Sequence, residues 1–174
     1  FSMEMECKSV ITNPSGGMQM QGPGLYELQG FAWSGNGTVK AVDITTDGGR
    51  TWRTADLEGP VLDKCLTRFR YRWNWDGGPA KIASRAVDNT GYVQPTVAEL
   101  AENRRIAGFV QHHNGIFPRA INTNGVVSNA FSKYYYSHRV SACLFFHHRV
   151  CCSFPTRCIS RSSHHFIEHH GPRP

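Results

Sequence analysis

The chain of 174 residues carries a formal charge of +6, with 40% hydrophobic residues, 17 glycines and 9 prolines. That length suits one domain, or one domain with an appendage, and the abundance of turn-forming residues favours an all-β fold. No apolar run approaches the roughly 18 residues of a membrane span, so no membrane partner is expected.

The charge is unevenly placed. Six of the 19 Lys and Arg residues but one of the 13 Asp and Glu residues lie beyond residue 131, which leaves 13 basic and 12 acidic residues before it. The basicity therefore belongs to the C-terminal segment, and nucleic acid is not an expected partner. Four of the six cysteines and seven of the nine histidines lie in the same segment. A boundary is placed at Phe131: residues 1–131 form the body, and 132–174 form a Cys/His-rich basic tail expected to be disordered or non-native. The tail has no C-x-x-C and almost no acidic residues, so no metal site is assigned to it. Cys7 and Cys65 are the cysteines of the body, and their positions do not show that they pair. The chain starts at Phe1 without a charged segment and apolar core, so it is expected to be a fragment or processed product.

In chain order, "SVITNPSGG" predicts a short strand ended by Pro14 and Gly16-Gly17. "LYELQGFAWSGNGTVKAVDITTDGGRTW" then reads as strand, turn, strand, turn, strand. Asn36-Gly37 predicts a type I′ hairpin, and Asn36-Gly37-Thr38 is also a glycosylation sequon, although a tight turn explains it more simply. Asp47-Gly48-Gly49 predicts a second hairpin joining the strand at Val42 and Ile44 to Thr51-Trp52. "LTRFRYRWNW" and "AKIASRAVDNTGYVQP" supply further strands, separated at Asp76-Gly77-Gly78-Pro79. Helical composition is confined to "TVAELAENRRIAG". Strands recurring with this punctuation predict an immunoglobulin-like sandwich of about seven strands.

The stretch from Cys65 to Trp75 is the most legible. Its odd positions carry Thr67, Phe69, Tyr71, Trp73 and Trp75, and its even positions carry Leu66, Arg68, Arg70 and Arg72. Alternation in a strand turns the aromatics to the core and the arginines to the opposite face. That second face is either a solvated, salt-bridged surface or an anion site or subunit contact, since a guanidinium fork holds oxyanions well. Arg85 shares parity with Ala83 and Val87 and is expected to point inward, paired with Asp88 or Asp43. His112-His113-Asn114 falls in a predicted loop, where a surface or packing role is expected over a ligand pair. "GGMQMQGPG" lacks the lysine of a phosphate-binding loop. No catalytic triad or carboxylate pair is placed in this chain.

"KSVITNPSGG", "GFAWSGNGTVKAVDITTDGGRTW", "LTRFRYRWNWDG", "SRAVDNTGYVQPT" and "HNGI…NTNGVVSN" occur in this order. Together they resemble the C-terminal dimerisation domain of the sulfite oxidase family of molybdopterin enzymes. Within that family they are most similar to the sulfane (sulfite) dehydrogenase subunits of the bacterial Sox system. The resemblance implies an all-β immunoglobulin-like sandwich that pairs subunits, as a homodimer or with another Sox subunit, in a periplasmic molybdenum oxidoreductase. It further implies two-electron oxidation of sulfite or sulfane sulfur, with electrons passed to a cytochrome. The molybdopterin and its molybdenum ligand belong to a preceding domain that nothing here resembles, so this chain alone is expected to be inactive and to bind no cofactor. Arg68 and Arg70, with Lys64 as a weaker third, are the expected substrate-side or interface residues. The reading from another class is a non-catalytic immunoglobulin-like binding module.

Overall fold

The computed structural model describes residues 4–111 and 113–130; His112, the boundary at Phe131 and the 132–174 tail fall outside them. Nine strands and one helix follow in chain order: β1 (Lys8–Asn13), β2 (Gly24–Trp33), β3 (Val39–Thr45), β4 (Arg53–Thr54), β5 (Asp56–Glu58), β6 (Thr67–Trp75), β7 (Ala80–Asp88), α1 (Val97–Gln111), β8 (Arg119–Ile121) and β9 (Val127–Asn129). Against the expected count of about seven, four of the nine strands, β4, β5, β8 and β9, span only two or three residues each. Segments so short carry too little alternation to be read from sequence.

The strands form two antiparallel sheets, ordered β1-β2-β6-β5 and β4-β3-β7-β8-β9. This is an immunoglobulin-like sandwich, with the inward positions of both sheets meeting in one core. Ile11, Leu28 and Phe69 contribute from the first sheet, and Val42, Ile44, Ile82, Ile121 and Val127 from the second. Burying each such aliphatic or aromatic side chain contributes about 1.5–3 kcal/mol. Strand β6 follows the predicted alternation: Thr67, Phe69 and Trp75 are buried, whereas Arg68, Arg72 and Asn74 are exposed. Gly30 of β2 faces Phe69, and a Cβ there would lie 2.3 Å from the Phe69 ring and 2.2 Å from the Val10 carbonyl oxygen. The core is closed at this point by the absence of a side chain.

The connection at Asn36-Gly37 is not a hairpin. It carries the chain from β2 in one sheet to β3 in the other. Asn89 Oδ1 accepts from the Thr38 N–H at 3.2 Å, and Gly37 O accepts from the Lys64 N–H at 3.1 Å, so loops from both sheets hold this crossing. The turn at Asp47-Gly48-Gly49 does join an antiparallel pair, β3 with β4, with Ile44 opposite Arg53. Gly48 and Gly49 adopt φ of 80° and 98°, the left-handed region open to glycine. Asp47 Oδ1 accepts from the N–H groups of Arg50 and Thr51 at 2.9 and 3.0 Å, and Oδ2 accepts from the Thr51 hydroxyl at 2.6 Å. These bonds, led by those from Thr51, hold its carboxyl well below the usual range.

Helix α1 lies in the crossover between β7 and β8, where helical composition was expected. Thr96 and Glu99 form a capping box: Glu99 Oε2 accepts from the Thr96 N–H at 2.7 Å, and Thr96 Oγ1 accepts from the Glu99 N–H at 3.2 Å. Leu100 anchors the helix from its first turns and is buried. No helix among the described residues is long and apolar enough to cross a membrane.

Candidate functional site

The arginine row of β6 occupies the outer face of the four-stranded sheet, between β2 and β5. Cross-strand register puts Arg68 between Phe31 and Glu58, Arg70 between Gln29 and Asp56, and Arg72 beside Glu27. Arg70 pairs with Glu58 and, at 3.4 Å, with Glu27; Arg68 lies 3.7 Å from Glu58. The Arg68 guanidinium also sits 5.5 Å from the centre of the Phe31 ring, within cation–π range. Gln29 Nε2 donates to the same Glu27 oxygen that Arg70 contacts. The row is thus a lattice of alternating sign and not a bare cationic strip.

Lys64 is placed differently. It precedes β6 in the β5–β6 loop, exposed and with φ of 54°, outside the row that contains Arg68 and Arg70. Sequence reasoning found the arginines but missed Glu27, Asp56 and Glu58. Their proximity follows from register between strands, for which a single strand's alternation gives no signal.

Arg85 departs from expectation. Its neighbours Ser84, Ala86 and Asp88 are buried toward the core, while Arg85 lies on the outer face of the five-stranded sheet. It does pair with Asp43, one of the two expected carboxylates, at 3.0 Å. Trp52 covers the guanidinium at 4.4 Å and supplies the shelter that the core was expected to give. Asp88 is committed elsewhere: its Oδ2 accepts from the Ser34 hydroxyl, and its Oδ1 from the Thr90 hydroxyl and the N–H groups of Thr90 and Tyr92.

The Trp52–Arg85 pair forms one wall of a groove of about 770 Å³ that also includes Ala83, Pro95, Ile116 and Phe117. His113 packs beside it against Phe117, with ring centres 4.8 Å apart, and Lys8 donates to the His113 carbonyl oxygen at 2.7 Å. Burial, and then the Lys8 charge, push the His113 imidazole below its ordinary value. This is the packing role expected for His113; His112 lies outside the described residues.

The described residues do not fit a molybdenum centre. No three His, Cys, Asp or Glu side chains among them come together as ligands. The Cys7 thiol is fully buried, and burial followed by the Asp88 charge pushes it up to about 12, which opposes the thiolate that a metal requires. No chemical step is therefore assigned to a metal among the described residues.

The described residues form a two-sheet sandwich whose four-stranded sheet carries a charge-patterned outer face. The family model of the Mo-co oxidoreductase dimerisation domain matches residues 1–117, and the chain belongs to that family. Sulfite oxidase of Gallus gallus is 34% identical over 119 residues, which cover 63% of this chain and 25% of that protein. Nitrate reductase [NAD(P)H] of Hordeum vulgare is 36% identical over 80 residues, covering 41% of this chain and 8% of the relative. Among solved structures, the sulfane dehydrogenase SoxCD from Paracoccus pantotrophus matches with a TM-score of 0.70 and 44% identity, over 74% of this chain and 33% of that chain. The chain thus spans a quarter or less of these curated relatives and a third of the solved one.

Proposed function

We propose that the chain is the subunit-pairing part of a molybdopterin-dependent sulfite or sulfane dehydrogenase. The observation that carries this reading is the 44% identity to the sulfane dehydrogenase SoxCD over 74% of the chain, at a TM-score of 0.70. In this reading the molybdopterin is bound by a part of the enzyme outside these 174 residues, and the chain alone is inactive. The whole enzyme removes two electrons from sulfite or a sulfane sulfur, takes oxygen from water, and passes the electrons to a cytochrome in the periplasm. The sandwich pairs with a second copy or another Sox subunit. Arg68 and Arg70 serve at a protein contact or on the substrate side, with Lys64 the weaker candidate. The acidic partners of both arginines support the protein contact, because Glu27 and Glu58 already offset the positive charge that a free anion would seek.

The test joins this chain to a molybdopterin domain and measures sulfite- and sulfane-dependent reduction of a cytochrome, beside the chain alone. Turnover by the joined protein and none by the chain supports the reading. A joined protein that holds molybdenum and oxidises neither sulfur compound overturns the substrate assignment.

A further inference from the structure

We propose that the Trp52 groove on the five-stranded sheet is the docking site of the chain's own segment 131–136, "FSKYYY", whose aromatic side chains fill it. The strands deliver the chain to this place. Strand β9 runs antiparallel to β8, and their pairing reaches one residue past Asn129, where the Ala130 N–H donates to the Pro118 carbonyl oxygen at 2.9 Å. The antiparallel sense aims the chain after Ala130 past Phe117 and Ile116, and all four of these residues line the groove. Backbone pairing stops there. Pro118 has no N–H to return to Ala130, and the Ile116 N–H is already given to the Pro95 carbonyl oxygen at 2.9 Å. A segment continuing from Ala130 is therefore held by its side chains.

The groove suits those side chains. Trp52, Val93, Pro95 and Phe117 make its walls apolar, and Val93 is 46% exposed although it bridges to Val87 of β7. Apolar surface left open beside a tryptophan gains from cover. Lys81, Thr96 and Asn103 add hydrogen-bonding groups to the same lining. Tyrosine meets both demands, because its ring buries while its hydroxyl finds a polar partner. The segment offers Phe131, Tyr134, Tyr135 and Tyr136 within six residues. Reach is sufficient: Trp52 lies over Arg85 of β7, two strand spacings or about 10 Å from β9, and six extended residues span about 20 Å. A free anion is a poorer occupant, since the groove's arginine is already spent on Asp43. The folded unit then extends past the boundary expected at Phe131, and the chain itself closes the groove to other partners.

Hydroxyl-radical footprinting of the full chain, read by mass spectrometry, reports which aromatic rings are covered. In the wild type, Phe131, Tyr134, Tyr135 and Tyr136 should label several-fold more slowly than in the chain unfolded by denaturant. Val93→Lys puts a charge on the groove wall at an exposed position and should return these rings toward the unfolded rate, with the circular dichroism of the wild type retained. Phe131→Asp reads the contact from the other side and should raise the labelling of Trp52 and Phe117. Rings of the segment that label in the wild type as they do in the unfolded chain overturn the proposal. Protection that survives Val93→Lys also overturns it, because the segment then packs elsewhere. Protection that fades on dilution assigns the occupant to a second copy and overturns docking within one chain. Should Val93→Lys fail to fold, Phe131→Asp decides, and unchanged labelling of Trp52 and Phe117 overturns the proposal.

Discussion

Arg85 and Asp43 face each other across the β3–β7 ladder, with the guanidinium Nε donating to Asp43 Oδ2 at 3.1 Å and Nη2 lying 3.0 Å from the same oxygen. Trp52, just before β4, closes over the pair, so the contact ties the end of the Asp47 turn to the central strand of its sheet. Arg85→Ala should destabilise the sandwich by about 1.5–3 kcal/mol, the range for a hydrogen bond to a charged group. Arg85→Lys should recover only part of this, because the ammonium loses the planar stack on Trp52. Urea unfolding of the three proteins checks both expectations. Equal midpoints for wild type and Arg85→Ala would reduce the pair to a solvated surface contact.

Asp88 gives a pH dependence with a definite sign. Burial raises its carboxyl, but the Thr90 and Ser34 hydroxyls and the Tyr92 and Thr90 N–H groups outweigh burial and hold it below its ordinary value. A carboxyl whose folded value is depressed stabilises the fold fully above its unfolded value of about 3.9, and that stability is lost as pH falls through the folded value. Asp88→Asn should therefore be less stable than wild type at neutral pH, with the gap closing as the solution is acidified below about pH 4. Thermal melting between neutral and acidic pH tests this. A gap that stays constant through that window would place the role of Asp88 in shape and not in charge.

Gly30→Ala should be among the most damaging single changes in the first sheet. The added methyl meets a backbone oxygen and a buried ring that are both held by their own strands. Overpacking of this kind costs about 1–3 kcal/mol. Replacing Phe69 by Leu in the same chain removes the ring clash but leaves the Val10 carbonyl, so the double variant should recover a part of the loss relative to the sum of the singles. Strict additivity in a denaturation cycle would count against this packing.

The two cysteines of the body should differ sharply in reactivity. Cys7 is buried with its thiol pushed up to about 12, whereas Cys65 is exposed. Mild alkylation at neutral pH followed by peptide mapping should label Cys65 and spare Cys7 until denaturant is added. Early labelling of Cys7 would show that the β1 end of the sandwich opens readily.

The core was legible where one strand carried its own alternation. Strand β6 announced both faces because Phe69 and Trp75 recur at period two against Arg68, Arg70 and Arg72. What needed a second strand was not legible. Asn36-Gly37 has the local chemistry of a hairpin, but whether the chain returns to the same sheet depends on β6 taking the place beside β2. Glu27 stands 43 residues from Arg70 in sequence and contacts it only through that placement. Arg85 was expected to meet Asp88 or Asp43 from the core side; it meets Asp43 from the outer face, because small neighbours such as Ala83 suggested core parity while Trp52 provides cover from outside.

The Gln94 side chain accepts from the Ser9 N–H at 2.8 Å and from the Ala86 N–H at 3.1 Å through one oxygen, and the Ser9 and Ser84 hydroxyls lie 2.9 Å apart. These groups join β1 of the first sheet to β7 of the second, so the sandwich is riveted at one corner. Two sheets held only by apolar side chains slide at little cost, since such contacts have no direction; a shared acceptor with fixed donors resists that shear. Gln94 therefore gives the packing of β1 on β7 a direction that the apolar core by itself does not supply.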